Sequence, residues 1–488
     1  MVVSRVLAVL LICTSLFGAE IRLIYPRLEA GQDSLFYSRS LDSTFVLGHI
    51  EGFVPQMSLK CNEIPVKLSD DGAFLAFLPI PWQTETFVWN FALTNGGAET
   101  SSLSFPFFAA PADEEIAWSG YAVPLEFRVN QPNAHTRTTV GGSYHLFPDS
   151  GAVLPVTATS TYWCKFNLGG GQSGVVERRF VDSVGTNENL IQPIRVGNAE
   201  IRSNEKSTTI EFETEGWPLC EISTEPEGDE FTVRIHDAVS AIDKIRYIGA
   251  ARDFIKDITW TQESGALVVS ILLSESAQGY RVMTTESMLA LEISSIEPAV
   301  KSLRGMRIVL DPGHGGAADG SIGPRGTKEK DAVLKWSEIL EQELRSKGAE
   351  VLRTRTDDSG VGLYERIAKA REFDTDVFLS LHANALPDGE NPFVRRGCGT
   401  YYYQTLSRPL AESIQSAILN KTGLSDDGIF DANFAVVRPT GFPAVLIEAA
   451  YMMHPDEELK LNDDKFLLEL SRGVVNGLLD YFSKVPAR

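Results

Sequence analysis

The sequence predicts a multidomain chain in which β-rich N-terminal modules precede a C-terminal α/β domain with a mainly parallel sheet covered by helices. Three observations carry this. At 488 residues the chain exceeds one ordinary domain of about 100–200 residues. Up to about residue 297 it reads as short alternating runs punctuated by glycine and asparagine, the signature of antiparallel strands and tight turns. After about residue 304 the period changes, and strand-like runs alternate with amphipathic helical ones, as in sheets covered on both faces. Hydrophobic residues at 43% and charged residues at 22% fit a globular protein with real cores. A net charge of -21 argues against a nucleic-acid partner, because phosphate binding needs clustered Lys and Arg.

Residues 1–19 read as a secretory signal peptide: Arg5 supplies the positive start, "VLAVLLICTSLF" the apolar core, and Gly18-Ala19 the small-residue exit. That core is shorter than the ~18 residues of a membrane span, so no span is expected once the leader is removed. The residues before Cys13 lack the small side chain of a lipoprotein signal. Of the remaining cysteines, Cys61, Cys164, Cys220 and Cys398 form no CxxC pair, which removes zinc ribbons and thioredoxin-like sites. Buried free thiols are expected, with one disulfide among the upstream cysteines as the alternative.

Residues 20–112 carry "STFVLGHIEG", "MSLKCNEIPVKL" and "TFVWNFALTNGGAE", the spacing of a small β-sandwich. Residues 113–190 follow a strand with "SGAVLPV", an aromatic strand and a "GGGQSG" turn; this order resembles a bacterial SH3-like module. Residues 191–297, from "IRVGNAEIRSNEKSTTIEFETEG" to "MLALEI", resemble the AMIN type of β-domain. The run "SSIEPAVKSLRG" reads as a linker into residues 304–488.

In that last unit "MRIVLD", "AEVLRTR", "DVFLSLHAN", "GTYYY" and "PAVLIEAAY" read as strands. Val333, Trp336, Leu340 and Leu344 recur at helical spacing and Gly348 marks a stop; Leu467, Leu470, Val474, Leu478 and Tyr481 repeat the pattern. Ligands of such sheets sit outside the carboxyl ends of the strands. His314, Glu329, His382 and Glu448 all fall at strand ends or a helix start, so four distant positions converge on one edge. Spacing alone leaves a chance arrangement open, and His49, His135, His145, His236 and His454 read as surface or satisfied histidines. "DPGHGG" lacks the ending of a phosphate-binding loop, and no HExxH helix occurs. Burying His382 and Glu448 at the ends of apolar strands without partners would cost several kcal/mol. A cation held by both histidines and one carboxylate removes that cost, and this donor set suits Zn²⁺.

"IVLDPGHGG", "GPRGTKEKDAVL", "VLRTRTDD", "LYERIAKA", "DVFLSLHAN", "GTYYY" and "FPAVLIEAAYMMHPDEE", in this order, resemble the zinc-dependent N-acetylmuramoyl-L-alanine amidases of bacterial cell walls. The resemblance implies that His314, Glu329 and His382 bind zinc and that Glu448 is the catalytic acid-base. It further implies hydrolysis of the amide between N-acetylmuramic acid and L-alanine in peptidoglycan, in the periplasm or cell envelope. The β modules would then hold the enzyme on the wall or on an envelope protein, or act as spacers. Asp311 and Asn384 are candidates to orient the imidazoles, with a capping role for Asp311 as the alternative. Arg353 and Arg355 either pair with acids or meet substrate. Relatives continue after the glutamate with a small residue, Gly, Phe and Asn; here Ala449-Ala450-Tyr451 stand, so Tyr451 keeps an aromatic near that place while the pocket wall is expected to differ. Only 65 residues separate His382 from Glu448, too few for a long autoinhibitory helical insert. A retired wall-binding protein on the same fold, or a zinc hydrolase of another amide, are the rival readings.

Overall fold

A computed structural model describes residues 14–15, 18–26, 35–38, 41–80, 82, 86–109, 116–186, 193–204, 207–249, 251–295 and 302–484. Most of the expected leader, half of the linker at 294–305 (residues 296–301), and the domain limits near 112, 190 and 297 lie outside the described residues. Thr14–Ser15 pair with Ser101–Ser102. Among the described residues no helix is long and apolar enough to cross a membrane.

Before residue 110, a three-stranded sheet (Glu20–Tyr25, Ser43–Glu51, Ala73–Pro79) faces a six-stranded one. Alternation puts Val46, Phe74, Leu78, Trp89, Phe91 and Leu93 in the core between them, the two-residue period of a sheet with one buried face. Residues 119–186 form a six-stranded sheet curled around Phe166, Leu154 and Val156. Residues 194–295 form two facing sheets whose core includes Ile201, Phe212, Phe231 and Leu291. Cys61, Cys164, Cys220 and Cys398 are all free thiols.

Within the C-terminal domain the strands are β1 (Arg307–Pro312), β2 (Glu350–Arg353), β3 (Val377–Asn384), β4 (Cys398–Tyr402), β5 (Asp426–Asp431) and β6 (Ala444–Tyr451). The helices are α1 (Glu329–Ser346), α2 (Leu363–Glu372), α3 (Arg408–Thr422), α4 (Pro455–Leu461) and α5 (Asp464–Lys484). The sheet order is β2-β1-β3-β6-β4-β5. It is mixed: β4 runs antiparallel to β6, while the other neighbours are parallel. Val333, Trp336, Leu340 and Leu344 of α1 face the core, as do Leu467, Leu470, Val474 and Leu478 of α5; Tyr481 is only partly buried. The chain leaves α1 through Gly348, at φ +88°, a left-handed conformation that favours glycine. Close contact of α3 with α5 relies on Gly477, where a Cβ would sit 2.6 Å from the Ile414 Cα.

The sandwich packs directly on this domain. Phe45, Leu47 and Leu75 bury against Leu386, Tyr451 and Met453. Tyr25 and Thr44 donate hydroxyl hydrogen bonds to Asp388 at 2.8 and 2.9 Å, and Arg325 pairs with Asp71 at 2.6 Å. Tyr451 therefore belongs to an interdomain core rather than to a pocket wall, because its ring has an apolar face to bury against and its hydroxyl donates to Asp427 at 2.8 Å. His454 is likewise buried, not at the surface; its Nε2 lies 2.7 Å from the Pro392 carbonyl oxygen.

Candidate functional site

β1, β3 and β6 run side by side in parallel, so their carboxyl ends open on one edge. Pro312 ends β1, and the chain then turns sharply. His314 adopts φ +59°, a left-handed backbone uncommon for a residue with a Cβ. Its carbonyl is held by Arg366 Nη2 at 2.7 Å. Glu329 is the first residue of α1, and His382 stands opposite Glu448 in the β3–β6 register.

The structure brings His314, Glu329 and His382 together. His314 Nε2 and His382 Nδ1 face Glu329 Oε1 at 3.1 and 2.9 Å. One donor atom from each residue lies within 4.8 Å of the others. Burial raises the Glu329 carboxyl, but the two imidazoles outweigh it and hold the group well below the usual carboxylate range. The other oxygen, Oε2, accepts from the Ser321 backbone N–H at 2.8 Å and its hydroxyl at 3.1 Å. Two nitrogens and one carboxylate oxygen converging in this way fit a divalent ion of the zinc type.

Glu448 stands beside the trio without joining it. Its Oε2 is buried and has no hydrogen-bond partner. Desolvation, and then the charges of Glu329 and Asp427, push this carboxyl well above its ordinary value. A buried, unpartnered carboxyl next to three metal-type donors is a group held ready to carry a proton.

The glycines make room for the site's own side chains. A Cβ at Gly313 would lie 2.2 Å from the His382 ring, and one at Gly320 would lie 2.5 Å from Glu329 Oε2. Asp311 and Asn384 do not orient the imidazoles. Asp311 is fully buried and accepts from Thr354, Arg366 and Ser380 at 2.6, 2.7 and 2.8 Å; a strand-end carboxylate that deep requires such partners. Asn384 reaches the Tyr401 hydroxyl at 3.5 Å. Arg353 pairs with Glu341 at 2.8 Å, and Arg355 donates to the carbonyls of Pro312, Gly313 and Lys330. Sequence reasoning missed Arg366 and Ser321. Arg366 lies within the quoted "LYERIAKA", but only folding shows that it clamps β1 and the His314 turn.

The four residues line a cleft of ≈ 890 Å³ whose walls include Gly360–Leu363, Leu386, Arg395 and Phe434–Val436. That size suits a ligand held over much of its surface. α3, the α-helix between His382 and Glu448, packs on α5 rather than over the cleft.

Residues 308–480 match the protein family described as N-acetylmuramoyl-L-alanine amidase. Over 183 residues the chain is 37% identical to a probable cell wall amidase LytH of Staphylococcus epidermidis, covering 37% of this chain and 60% of that protein. The Staphylococcus aureus counterpart is 38% identical over the same shares. The chain thus spans about 60% of the length of these curated relatives. An N-acetylmuramoyl-L-alanine amidase structure from Clostridium difficile 630 is 33% identical, covering 37% of this chain and 98% of that one, with a TM-score of 0.35.

Proposed function

We propose, from the amidase-family match of residues 308–480, that this protein is a peptidoglycan hydrolase. Its bond is the amide between N-acetylmuramic acid and the L-alanine of the stem peptide. His314, Glu329 and His382 would hold a zinc ion. Such an ion supplies Lewis-acid polarisation of an amide carbonyl and makes water acidic enough to attack near neutral pH. Glu448 takes the proton of the attacking water and returns it to the departing amine of L-alanine, acting first as base and then as acid. Its raised affinity for a proton, set by burial and by Glu329, suits both halves of that task. Ser321 and the Ala383 N–H hold the Glu329 carboxylate, and Arg366 fixes the His314 turn.

Within the site, the observation that supports this reading best is the buried, unpartnered Glu448 Oε2 beside the converged trio. An ion pair built only for stability would not leave a carboxylate oxygen bare. Export by residues 1–19 places the enzyme in the periplasm or cell envelope, and the SH3-like and AMIN-like modules hold it on the wall or on an envelope partner.

Digestion of purified sacculi with mass analysis tests the bond assignment: free stem peptides beginning with L-alanine are expected, and intact muropeptides would overturn it. Glu448→Ala should abolish turnover while keeping the wild-type metal content, whereas His314→Ala should lose metal and turnover together. Equal metal loss in both would show that the division between ligand and base is wrong.

A further inference from the structure

A second convergence of metal-type donors lies far along the chain from the amidase residues. His145 belongs to the turn region between Thr136–Arg137 and Val153–Thr159, in the module of residues 116–186. Glu221 lies on the strand Cys220–Thr224 and His236 ends the adjacent strand Glu230–His236, in the following module. Glu221 pairs in register with Arg234. His236, two residues further on, therefore projects from the same face of the sheet as Glu221.

Both imidazoles turn their Nε2 atoms toward one carboxylate oxygen, Glu221 Oε1, at 2.5 Å from His145 and 3.3 Å from His236. One donor atom from each of the three residues lies within 4.8 Å of the others, a spread that a single ion with Zn–N bonds of about 2.0–2.1 Å can bridge. The arrangement repeats that of His314, Glu329 and His382, where the corresponding separations are 3.1 and 2.9 Å.

Two further observations point to a ligand. His236 is 3% exposed, and its Nδ1 and that of His145 are buried without a hydrogen-bond partner, so each ring is held at this spot only through its Nε2 contact with Glu221 Oε1. Buried ring nitrogens left unpaired carry a desolvation cost, so rings fixed by one carboxylate alone are incompletely satisfied. The cation best placed to neutralise Glu221 is Arg234, directly opposite it, yet Arg234 turns away to Glu263 at 2.7 Å. The Glu221 charge is left to two histidines, and a divalent cation resolves the charge and the Nε2 atoms together.

We infer that His145, Glu221 and His236 form a second divalent-cation site of the zinc class, which cross-links the module of residues 116–186 to that of residues 193–295. Two imidazoles and one carboxylate drawn from two separate modules would tie those modules together, with a fourth coordination position left to solvent. The clamp also reaches the catalytic domain. Tyr144 and Phe147, flanking His145, lie against the Arg438 guanidinium at 4.4 and 4.7 Å. Arg438 in turn holds Asn433 at 2.5 Å, next to the cleft wall at Phe434–Val436.

The test is metal stoichiometry on the full-length chain, stripped with a chelator and titrated with Zn²⁺ alone, read by native mass spectrometry. Wild type should take up one equivalent more than either His145→Ala or Glu221→Gln, and His314→Ala should keep that equivalent while losing the other. Zn²⁺ should raise the melting temperature of His314→Ala and not that of His145→Ala/His314→Ala. Should His236→Ala fail to fold, the partly exposed His145 and the isosteric Glu221→Gln still give the answer. Equal zinc uptake by wild type, His145→Ala and Glu221→Gln would overturn the site.

Discussion

Replacing Gly313 by alanine adds one methyl group, and the structure locates where it goes. The new Cβ would stand 2.2 Å from His382 Cε1, 2.5 Å from Nε2 and 2.7 Å from Nδ1. Ordinary contact begins near 3.4 Å, so the imidazole must retreat by more than an ångström or β1 must move. Gly313 is not among the residues with positive φ, so alanine accepts its backbone and the ring clash is the whole effect. Overpacking of this kind costs about 1–3 kcal/mol. A misplacement of about 1 Å at a reacting centre costs on the order of 10²-fold in rate. Gly313→Ala should therefore cut amide cleavage about a hundredfold and weaken zinc uptake at His382, with a modest fall in melting temperature. Cleavage of sacculi, zinc titration and thermal unfolding read the three quantities on one preparation. Gly120→Ala, where a Cβ meets nothing within 4 Å, serves as the control. Wild-type rate and zinc uptake in Gly313→Ala would refute the idea that this glycine exists to seat the His382 ring.

The pair Asp311–Arg366 is almost fully buried, at 1% and 4% side-chain exposure; Asp311→Ala leaves the guanidinium uncompensated and should cost about 3–5 kcal/mol in urea unfolding, and a loss below about 1 kcal/mol would count against the clamp. Arg325 holds the half-exposed Asp71 carboxyl down to about 2 from 3.8, so the link between sandwich and C-terminal domain contributes fully above the unfolded value and fades as pH falls from about 4 toward 2. The stability gap between wild type and Asp71→Asn should narrow over that window, and a gap independent of pH would contradict the assignment. Gly477→Ala drives a methyl into the α3 backbone at Ile414 and should destabilise by about 1–3 kcal/mol in chemical unfolding; an unchanged midpoint would mean that the helices separate freely.

The helical spacing of Val333, Trp336, Leu340 and Leu344 needs only local geometry, and these side chains do face the core. The strand ends carrying His314, His382 and Glu448 were visible as apolar runs broken by polar residues, and parallel topology brings such ends to one edge. Tyr451 and His454 misled because burial by another module leaves no local mark: the surface that covers Tyr451 comes from Phe45 and Leu75, more than 370 residues earlier. The convergence of His145 and His236 on Glu221 likewise leaves no local mark in the sequence, since it spans two modules.

By itself the sequence determined the order of β-rich and α/β units, the helix faces, and the candidate donors, because period, turn chemistry and residue type act over a few neighbours. Tertiary structure alone decided which partners those donors meet. It set Asp311 against Arg366 rather than an imidazole, filled the glycine notches with the rings of His314 and His382, and left Glu448 Oε2 without a partner. Desolvation and ångström-scale contact depend on chain segments distant in sequence, and only the assembled fold supplies them.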